Sequence, residues 1–457
     1  MTGRLSDTAA AQLAKRIEGA AIAPGDADYE QARRVWNGMI DRRPALICRC
    51  ASAGDVKAAI DFAHEQELPV AVRGGGHSVA GHGTCDGGLV IDLSPMRGVR
   101  VDAKKGLATV QAGATWGDVD RATQAHGLAV TGGIVSETGV AGLTLGGGIG
   151  WLMRKHGLTA DNLLGADLIT ARGESVKASA EENAGLLWGL QRAGANFGVV
   201  TELVFRLHRV GPIVLAGWVL HPLEKAGEVL RFHREFAAAA PDELTTIVIL
   251  RRLPHLAKLP PFLRGMPVIA IAACHCGVIE AGERAVEPLR SFGPPLVDGI
   301  GLKPYVEHQK MFDAAQPAGR CNYWKTSYLN RLGDAALEAI VESAVRMTSP
   351  HSLLALYQLG GAARLDEAAF CLNIAATWTE PAESERHIAW ARDAAAALEP
   401  HVGAGAYVNF LGDEGEQRTR AAYRHDHARL ASLKNAFDPD NFFRLNQNIR
   451  PSARAEA

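Results

Sequence analysis

Two clusters of glycine constrain this chain more than any other feature. The first, Arg73-Gly74-Gly75-Gly76-His77-Ser78, follows a short apolar run, Leu68 to Val72, that reads as a buried strand. Three successive residues without Cβ let a backbone take positive φ and come close to a partner. Their N–H groups can converge on an anion, as a diphosphate requires. Taken alone, the six residues also fit a tight turn with a surface histidine. The second cluster, Gly139 to Gly150 (GVAGLTLGGGIG), is another stretch where backbone rather than side chain faces a ligand. Its Gly146-x-Gly148 spacing superficially matches a dinucleotide fingerprint. No strand-then-helix context surrounds it, and no acidic residue stands at the distance a βαβ unit needs, so a Rossmann dehydrogenase is disfavoured.

Around these clusters the chain alternates short strands and helices as far as Val210. Ala45 to Ser52 reads as a strand, and Ser52 as the N-cap of a helix carrying Val56, Ala59, Ile60 and Ala63 on one face up to about Glu65. Leu89–Leu93 and Leu107–Ala112 are further strands, and Thr115–Ala125 a helix. Beyond Val210 the texture changes. Strand candidates Ile213–Leu220, Leu244–Arg251, Val268–Cys276, Ser352–Leu359 and Leu372–Trp378 interleave with amphipathic helices at Leu223–Ala238, Ala281–Ser291, Asp334–Met347 and Ala382–Leu398. This pattern predicts an inserted sheet covered by helices. From about Gly405 follow a strand (AYVNFL), a polar helix to about Ala436, the segment FDPDNFFRLNQNI and a charged tail, PSARAEA, expected to fray.

With 457 residues, more than one compact core usually holds, two domains are expected. A net charge of -2 gives no electrostatic reason to expect nucleic acid or an anionic membrane as partner. No apolar window is long enough for a span, and Met1-Thr2-Gly3-Arg4-Leu5 does not open a secretory signal. Seven cysteines, an odd number scattered widely, do not form a disulfide framework, so a reducing cytoplasm is expected. Cys48 and Cys50 share a face of a buried strand, where thiols act as small hydrophobes. Cys274-His275-Cys276 is split by strand alternation and lacks further ligands at zinc spacing, so no metal is expected.

Four ordered motifs, RGGGHSVAGHGTCDGGLVIDLSPM, GVAGLTLGGGIGWLMRKHGLTADNLLGADLITA, NFGVVTELVFRLH and FDPDNFFRLNQNI, together resemble the FAD-linked oxidases of the berberine bridge enzyme type. These belong to the vanillyl-alcohol oxidase / p-cresol methylhydroxylase (PCMH) superfamily, and the bacterial branch similar to hydroxynicotine oxidase runs through almost the whole chain. The resemblance implies an α+β fold with a PCMH-type FAD-binding domain (residues 1–207 and 405–457) and an inserted α+β substrate domain (208–404) with an antiparallel sheet covered by helices. It implies that His77 bonds through a ring nitrogen to the flavin 8α carbon, a chemistry open to a neutral imidazole near pH 7. Gly74, Gly75, Gly76 and Ser78 match the diphosphate loop. Thr138, Gly139, Gly142, Leu143, Gly148, Asp161 and Asn162 match the second FAD-binding stretch. Val200 matches a backbone contact toward the adenine, and Tyr407, Asn446 and Asn448 match positions closing over the isoalloxazine.

Two departures matter. Where many relatives carry a second, cysteinyl bond to the flavin, this chain has Val135, so a single covalent bond is expected. Where alcohol-oxidising relatives end a Tyr-x-Asn-Tyr motif in a tyrosine base, this chain reads Tyr407-Val408-Asn409-Phe410. On a strand Tyr407 and Asn409 would share one face and Phe410 would point the other way. The segments Tyr305-Val306-Glu307-His308-Gln309 and Asn322-Tyr323-Trp324-Lys325 resemble family stretches near the substrate side of the flavin. Tyr323, Lys325 and Tyr407 are therefore the candidate catalytic side chains, with sheet packing as the competing reading for Tyr323 and a helix-face role for His308. An aromatic-Pro-His-Arg stretch usual before the last sheet strand is missing in LDEAAFCLNI.

The expected activity is oxidation of a carbon next to oxygen or nitrogen in a small organic or secondary-metabolite substrate, by hydride transfer to flavin N5. Molecular oxygen is the expected acceptor, giving hydrogen peroxide, in a monomer or homodimer. Two other readings stay open: a flavin-dependent cyclase, isomerase or lyase without net oxidation, and a non-enzymatic flavin or nucleotide binder.

Overall fold

The computed structural model describes residues 5–255, 259–365 and 367–452. The extreme N-terminus, and the charged tail from residue 453 onward, lie outside the described residues.

Ser52 has an extended backbone (φ -145°), and its hydroxyl accepts from the Asp55 N–H, which opens a helix over Ala53–Glu65. The apolar face of that helix, Val56, Ala59 and Ile60, shares one buried cluster with Leu46, Leu89 and Ile91 of a four-stranded sheet. Its strand order is Ala20–Ile22, Leu46–Arg49, Leu89–Asp92, Val70–Arg73. The last three strands are parallel. Parallel strands deliver their following loops to one end of a sheet. Arg73 is thus the exit from which the first glycine cluster departs. A five-stranded antiparallel sheet, in the order Val99–Asp102, Leu107–Gln111, Val199–Arg206, Leu163–Ile169, Ser175–Ser179, closes the same core.

The third sheet has eight antiparallel strands among the described residues. Its path is Val297–Asp298, Ile213–Pro222, Pro267–His275, Leu244–Arg252, Leu353–Gln358, Phe370–Trp378, Cys321–Leu329, with Gly301–Pro304 also paired to Ile213–Pro222. Strands Leu353–Gln358 and Phe370–Trp378 are buried at every position. That explains why they read as continuous apolar runs: both faces are covered. Leu244, Val248, Leu250, Leu354, Leu356, Leu372 and Ile374 pack under the helices Ala226–Ala239, Ile279–Ser291, Asp334–Val345 and Ser384–Leu398. The alternate residues, Ile247, Ile249, Ala355, Tyr357 and Ala375, face Ile149, Trp151, Leu158 and Tyr407. The helix-covered, antiparallel architecture expected beyond Val210 is thus present, with strand and helix ends within a few residues of those read from the sequence.

Two local expectations are corrected. The segment AYVNFL is not a strand. The chain runs beside the edge strand Cys321–Leu329 only at Gly403 and Gly405, through Gly403 N–H to Tyr328 O and Tyr328 N–H to Gly405 O. It then turns into a 3₁₀ helix over Val408–Phe410, closed by Phe410 N–H to Tyr407 O. The single polar helix is two, Glu416–Tyr423 and His427–Phe437, broken at Arg424, where φ is +42°.

Candidate cofactor and active site

The two glycine clusters cross. A Cβ on Gly75 would lie 2.4 Å from the Gly139 nitrogen, and one on Gly139 would lie 2.4 Å from the Gly75 nitrogen. Backbone occupies the space that side chains would need. Among the described residues, the N–H groups of Gly75, Gly76, His77 and Ser78 find no acceptor within the chain. Gly76, His77 and Ser78 are half-buried and Gly75 is exposed, and four free N–H groups in succession can converge on an external acceptor. Gly76 sits at φ +68°, the left-handed turn that aims this run. Arg73, buried at the start of the loop, is tied to Asp92 at 2.7 Å and is not a free cation.

The loops line one side of a cavity of about 330 Å³. His77 opens onto it. Burial alone lowers its imidazole to about 4, so the ring is neutral at pH 7. It stacks on Trp36, with centroids 5.0 Å apart. Trp36 is a residue the sequence reading missed. Its N–H bonds Gly76 O, its indole N–H bonds Gln316 O, and the next residue, Asn37, reaches both Val79 O and Asn322 O. The Trp36-Asn37 pair therefore stitches the His77 loop to the large sheet. A tryptophan followed by Asn-Gly in a polar, loop-like stretch is the only signal that could have flagged it.

The C-terminal segment completes this side. Lys434, fully buried, donates to Asp438, Asn196 O and Phe443 O at 2.6–2.9 Å. Asn196 in turn accepts from Ile449 N–H and donates to Gln447 O. Asn446 and Gln447 are thereby held at the cavity beside Ala195.

The opposite side is the large sheet. Arg251, Leu353, Ala375 and Trp324 form one row across four strands, and Ile249, Ala355 and Asn373 form the next; all line the cavity. Rings continue the wall. Trp36 meets Trp324 edge-on at 5.7 Å, Trp324 meets Phe410 at 5.4 Å, and Phe410 meets Tyr357 at 5.4 Å and Tyr407 at 4.8 Å.

Of the residues singled out from sequence, Gly74, Gly75, Gly76, His77, Ser78, Thr138, Gly139, Gly142, Leu143, Tyr407 and Asn446 line the cavity. Five others are not among its lining residues. Asp161 caps a turn by accepting from Leu158 N–H, Asn162 bonds His156 O and His208, and Val200 is a core strand residue. Gly148 donates its N–H to the Tyr407 hydroxyl, and Asn448 stands beyond the lining pair Asn446 and Gln447.

The catalytic candidates need correction. Tyr323 and Lys325 lie on the face of their strand away from the cavity. Tyr323 packs toward the helix layer and accepts from Arg392, and Lys325 is paired with Glu414 at 2.6 Å. Alternation puts Trp324 in the cavity instead. Tyr407 is there, but its hydroxyl oxygen accepts from Gly148 N–H, Ile149 N–H and Asn409, which makes it a latch on the second glycine loop. Because the segment is a 3₁₀ turn, Phe410 also faces the cavity, contrary to the strand-based expectation. The segment Tyr305–Gln309 backs the cavity without lining it: His308 is buried against Trp151, and Gln309 bonds Asp120 and Gly133 O. Among the described residues no three His, Cys, Asp or Glu side chains gather as a metal site. No helix there is long and apolar enough to cross a membrane.

Comparison with known proteins shows the family. Residues 44–179 match the FAD binding domain family, and residues 406–450 the berberine and berberine-like family. An FAD-linked oxidoreductase of Dictyostelium discoideum is 32% identical over 455 residues, covering 96% of each chain. The chain is an FAD-linked oxidoreductase of the berberine bridge enzyme-like family. Within that family, the (R)-6-hydroxynicotine oxidase of Paenarthrobacter nicotinovorans is 30% identical over 467 residues, covering 95% of this chain and 97% of its own. The crystal structure of 6-hydroxy-D-nicotine oxidase from Arthrobacter nicotinovorans superposes with a TM-score of 0.86 at 29% identity, over 95% of this chain and 98% of that one. The PCMH-type α+β fold expected from the motifs is therefore the fold of this family.

The residues present fit the family's FAD. Besides the unpaired N–H run, the buried atoms His82 Nε2, Gln316 Oε1, Trp324 Nε1 and Asn446 Oδ1 belong to cavity-lining residues and lack a partner among the described residues. Such groups are costly unless a ligand satisfies them.

Proposed function

We propose that this family member is an oxidase that carries its FAD covalently on His77 and oxidises a C–O or C–N bearing carbon of a small organic substrate. Residues 1–207 and 405–457 would hold the cofactor, and residues 208–404 the substrate. When bound, the flavin supplies a two-electron acceptor for a substrate hydride, with molecular oxygen the onward acceptor and hydrogen peroxide the product. The chain's own residues bind and orient. The N–H run from Gly75 to Ser78 takes the diphosphate, and Trp36, Trp324, Tyr357 and Phe410 exclude water around the reacting end.

The observation that carries this reading is His77: a neutral imidazole, stacked in place by Trp36, directly after a run of unpaired N–H groups. A neutral ring nitrogen keeps its lone pair for bond formation. Supporting the single bond, none of the seven cysteines lines the cavity, and Val135 does. The test is acid precipitation of purified protein. The parent pellet stays yellow, and the His77→Ala pellet is colourless with FAD in the supernatant. A yellow His77→Ala pellet, or flavin on a cysteine peptide, overturns the assignment.

One observation favours a second reading, a net cyclisation, isomerisation or elimination. Among the described residues no free base stands at the aromatic end: Phe410 cannot take a proton, and burial pushes the Tyr407 phenol up to about 12. Anaerobic bleaching of the yellow chromophore by a substrate supports oxidation; turnover without bleaching supports the alternative.

A further inference from the structure

The sheet side of the cavity contains a cation that no carboxylate neutralises among the described residues. Arg251 ends its strand in the row with Leu353, Ala375 and Trp324, and all four line the cavity. Only 8% of the residue is exposed. Of its guanidinium donors, Nε is used, on the Arg252 carbonyl, while Nη2 is buried without a partner. Among the described residues no carboxylate comes within 4 Å of it, in contrast to Arg73, which has one, and Arg33 and Arg290, which have two each.

Its surroundings add to the positive charge. Arg320 is close enough to oppose the charge on Arg251, and both arginines act on His351 in the same sense. Among the described residues Arg320 donates only to the Ala315 carbonyl and likewise has no carboxylate within 4 Å. An isolated buried guanidinium costs several kcal/mol, a cost proteins normally offset with a buried anion. Burial lowers the Arg251 pKa only to about 10, so it stays charged at neutral pH. The residue that carries the unpaired Nη2 lines the cavity, so an anion seated there would lie beside the guanidinium. The neighbouring apolar lining is made of Leu353, Ala355 and the rings of Trp324 and Phe410, which meet edge-on.

We infer that the substrate is an aromatic or similarly planar molecule bearing a carboxylate, and that Arg251 is the side chain that seats this carboxylate. Resting on the oxidase reading above, this assigns a substrate class to the same site. A guanidinium fork matches a carboxylate by two parallel N–H···O bonds, which fixes orientation as well as charge. Leu353 and Trp324, in the same row as Arg251, would then set the plane in which the apolar part lies.

The experiment is calorimetric titration of the flavin-loaded protein with benzoate and with its neutral analogue benzamide. Loss of one charge-assisted contact weakens binding by about 10- to 100-fold. The expected result is benzoate binding at least about tenfold tighter than benzamide in the parent protein. Arg251→Gln should lose that preference, and Arg251→Lys, which keeps the charge and guards against a folding defect, should retain part of it. Equal affinity for the two ligands, no detectable benzoate binding, or an undiminished preference in Arg251→Gln overturns the inference. Were Arg251 instead serving the flavin, its replacement would shift the flavin potential and leave the benzoate preference untouched, which also overturns it. Colourless protein would sink the flavin reading separately, and the heat of benzoate binding would still be readable.

Discussion

The two walls of the cavity are built from different material. On one side, from Gly75 to Ser78 and at Gly139, the ligand-facing groups are backbone amides, and side chains are excluded because two loops cross at 2.4 Å from where a Cβ would stand. On the other side, the groups are side chains on a rigid sheet, one row carrying Arg251, Leu353, Ala375 and Trp324. A backbone wall can recognise only what is constant, which in the reading proposed above is the diphosphate of a shared cofactor. A side-chain wall can be rewritten residue by residue without moving a strand. On that reading, cofactor and substrate would be read by parts of the molecule with different tolerance to change.

If that contrast holds, damage to the loop wall should cost folding and flavin together. The largest effect is expected at its C-terminal support. Lys434 and Asp438 are both fully buried and 2.6 Å apart, and Lys434 also holds Asn196 and Phe443 carbonyls. Removing one member of a buried pair strands the other charge, at a cost of about 3–5 kcal/mol. Lys434→Met should therefore lower the free energy of unfolding by that amount in denaturant titration, and should loosen Asn446 and Gln447 at the cavity. A loss under about 1 kcal/mol would show that the loop wall does not lean on this pair.

A smaller but more specific effect is expected where the loops cross. Gly75→Ala places a methyl against the Gly139 backbone, and the neighbour cannot rotate away as a side chain would. Overpacking of this kind costs about 1–3 kcal/mol. The expected outcome is a folded protein with low flavin content, measured as the ratio of visible to ultraviolet absorbance. Full flavin loading in Gly75→Ala would mean that the loops can separate, and the division between a fixed and a rewritable wall would fail.

The same contrast explains what was legible in the sequence. The loop wall announced itself, because glycine at Gly74, Gly75, Gly76 and Gly139 is a local signal of backbone demand. Ser52 and the alternating elements were readable for similar reasons: caps and periodicity are local. The sheet wall was not readable. Whether Tyr323 or Trp324 faces the cavity depends on which side of the sheet the helices cover, a choice made together with strands distant in the chain, Leu244–Arg252, Leu353–Gln358 and Phe370–Trp378. Phe410 and Tyr407 were misplaced for a related reason. AYVNFL has strand composition, but pairing ends at Gly405 and the Tyr407 hydroxyl is drawn to Gly148 and Ile149. Trp36 lay outside every motif because its partners, Gly76 and Gln316, are far apart in sequence.

The smallest predicted effect concerns the backing of the cavity between the two walls. His308 is 1% exposed and tilted on Trp151 at 4.4 Å, and neither ring nitrogen has a partner among the described residues. Burial, with Lys303 nearby, lowers its pKa from 6.5 to about 3. Between those values the unfolded chain binds a proton that the folded chain refuses, so stability is complete above pH 6.5 and falls as pH drops toward 3. His308→Phe removes this proton uptake and keeps a ring on Trp151. Its advantage over the parent protein should be close to nothing at pH 8 and should grow to about 1–2 kcal/mol at pH 5, read from paired denaturant titrations. A constant difference across that range would mean the imidazole finds water or a proton partner when folded. The backing helix Tyr305–Gln309 would then hold a satisfied polar group behind the cavity instead of an apolar one.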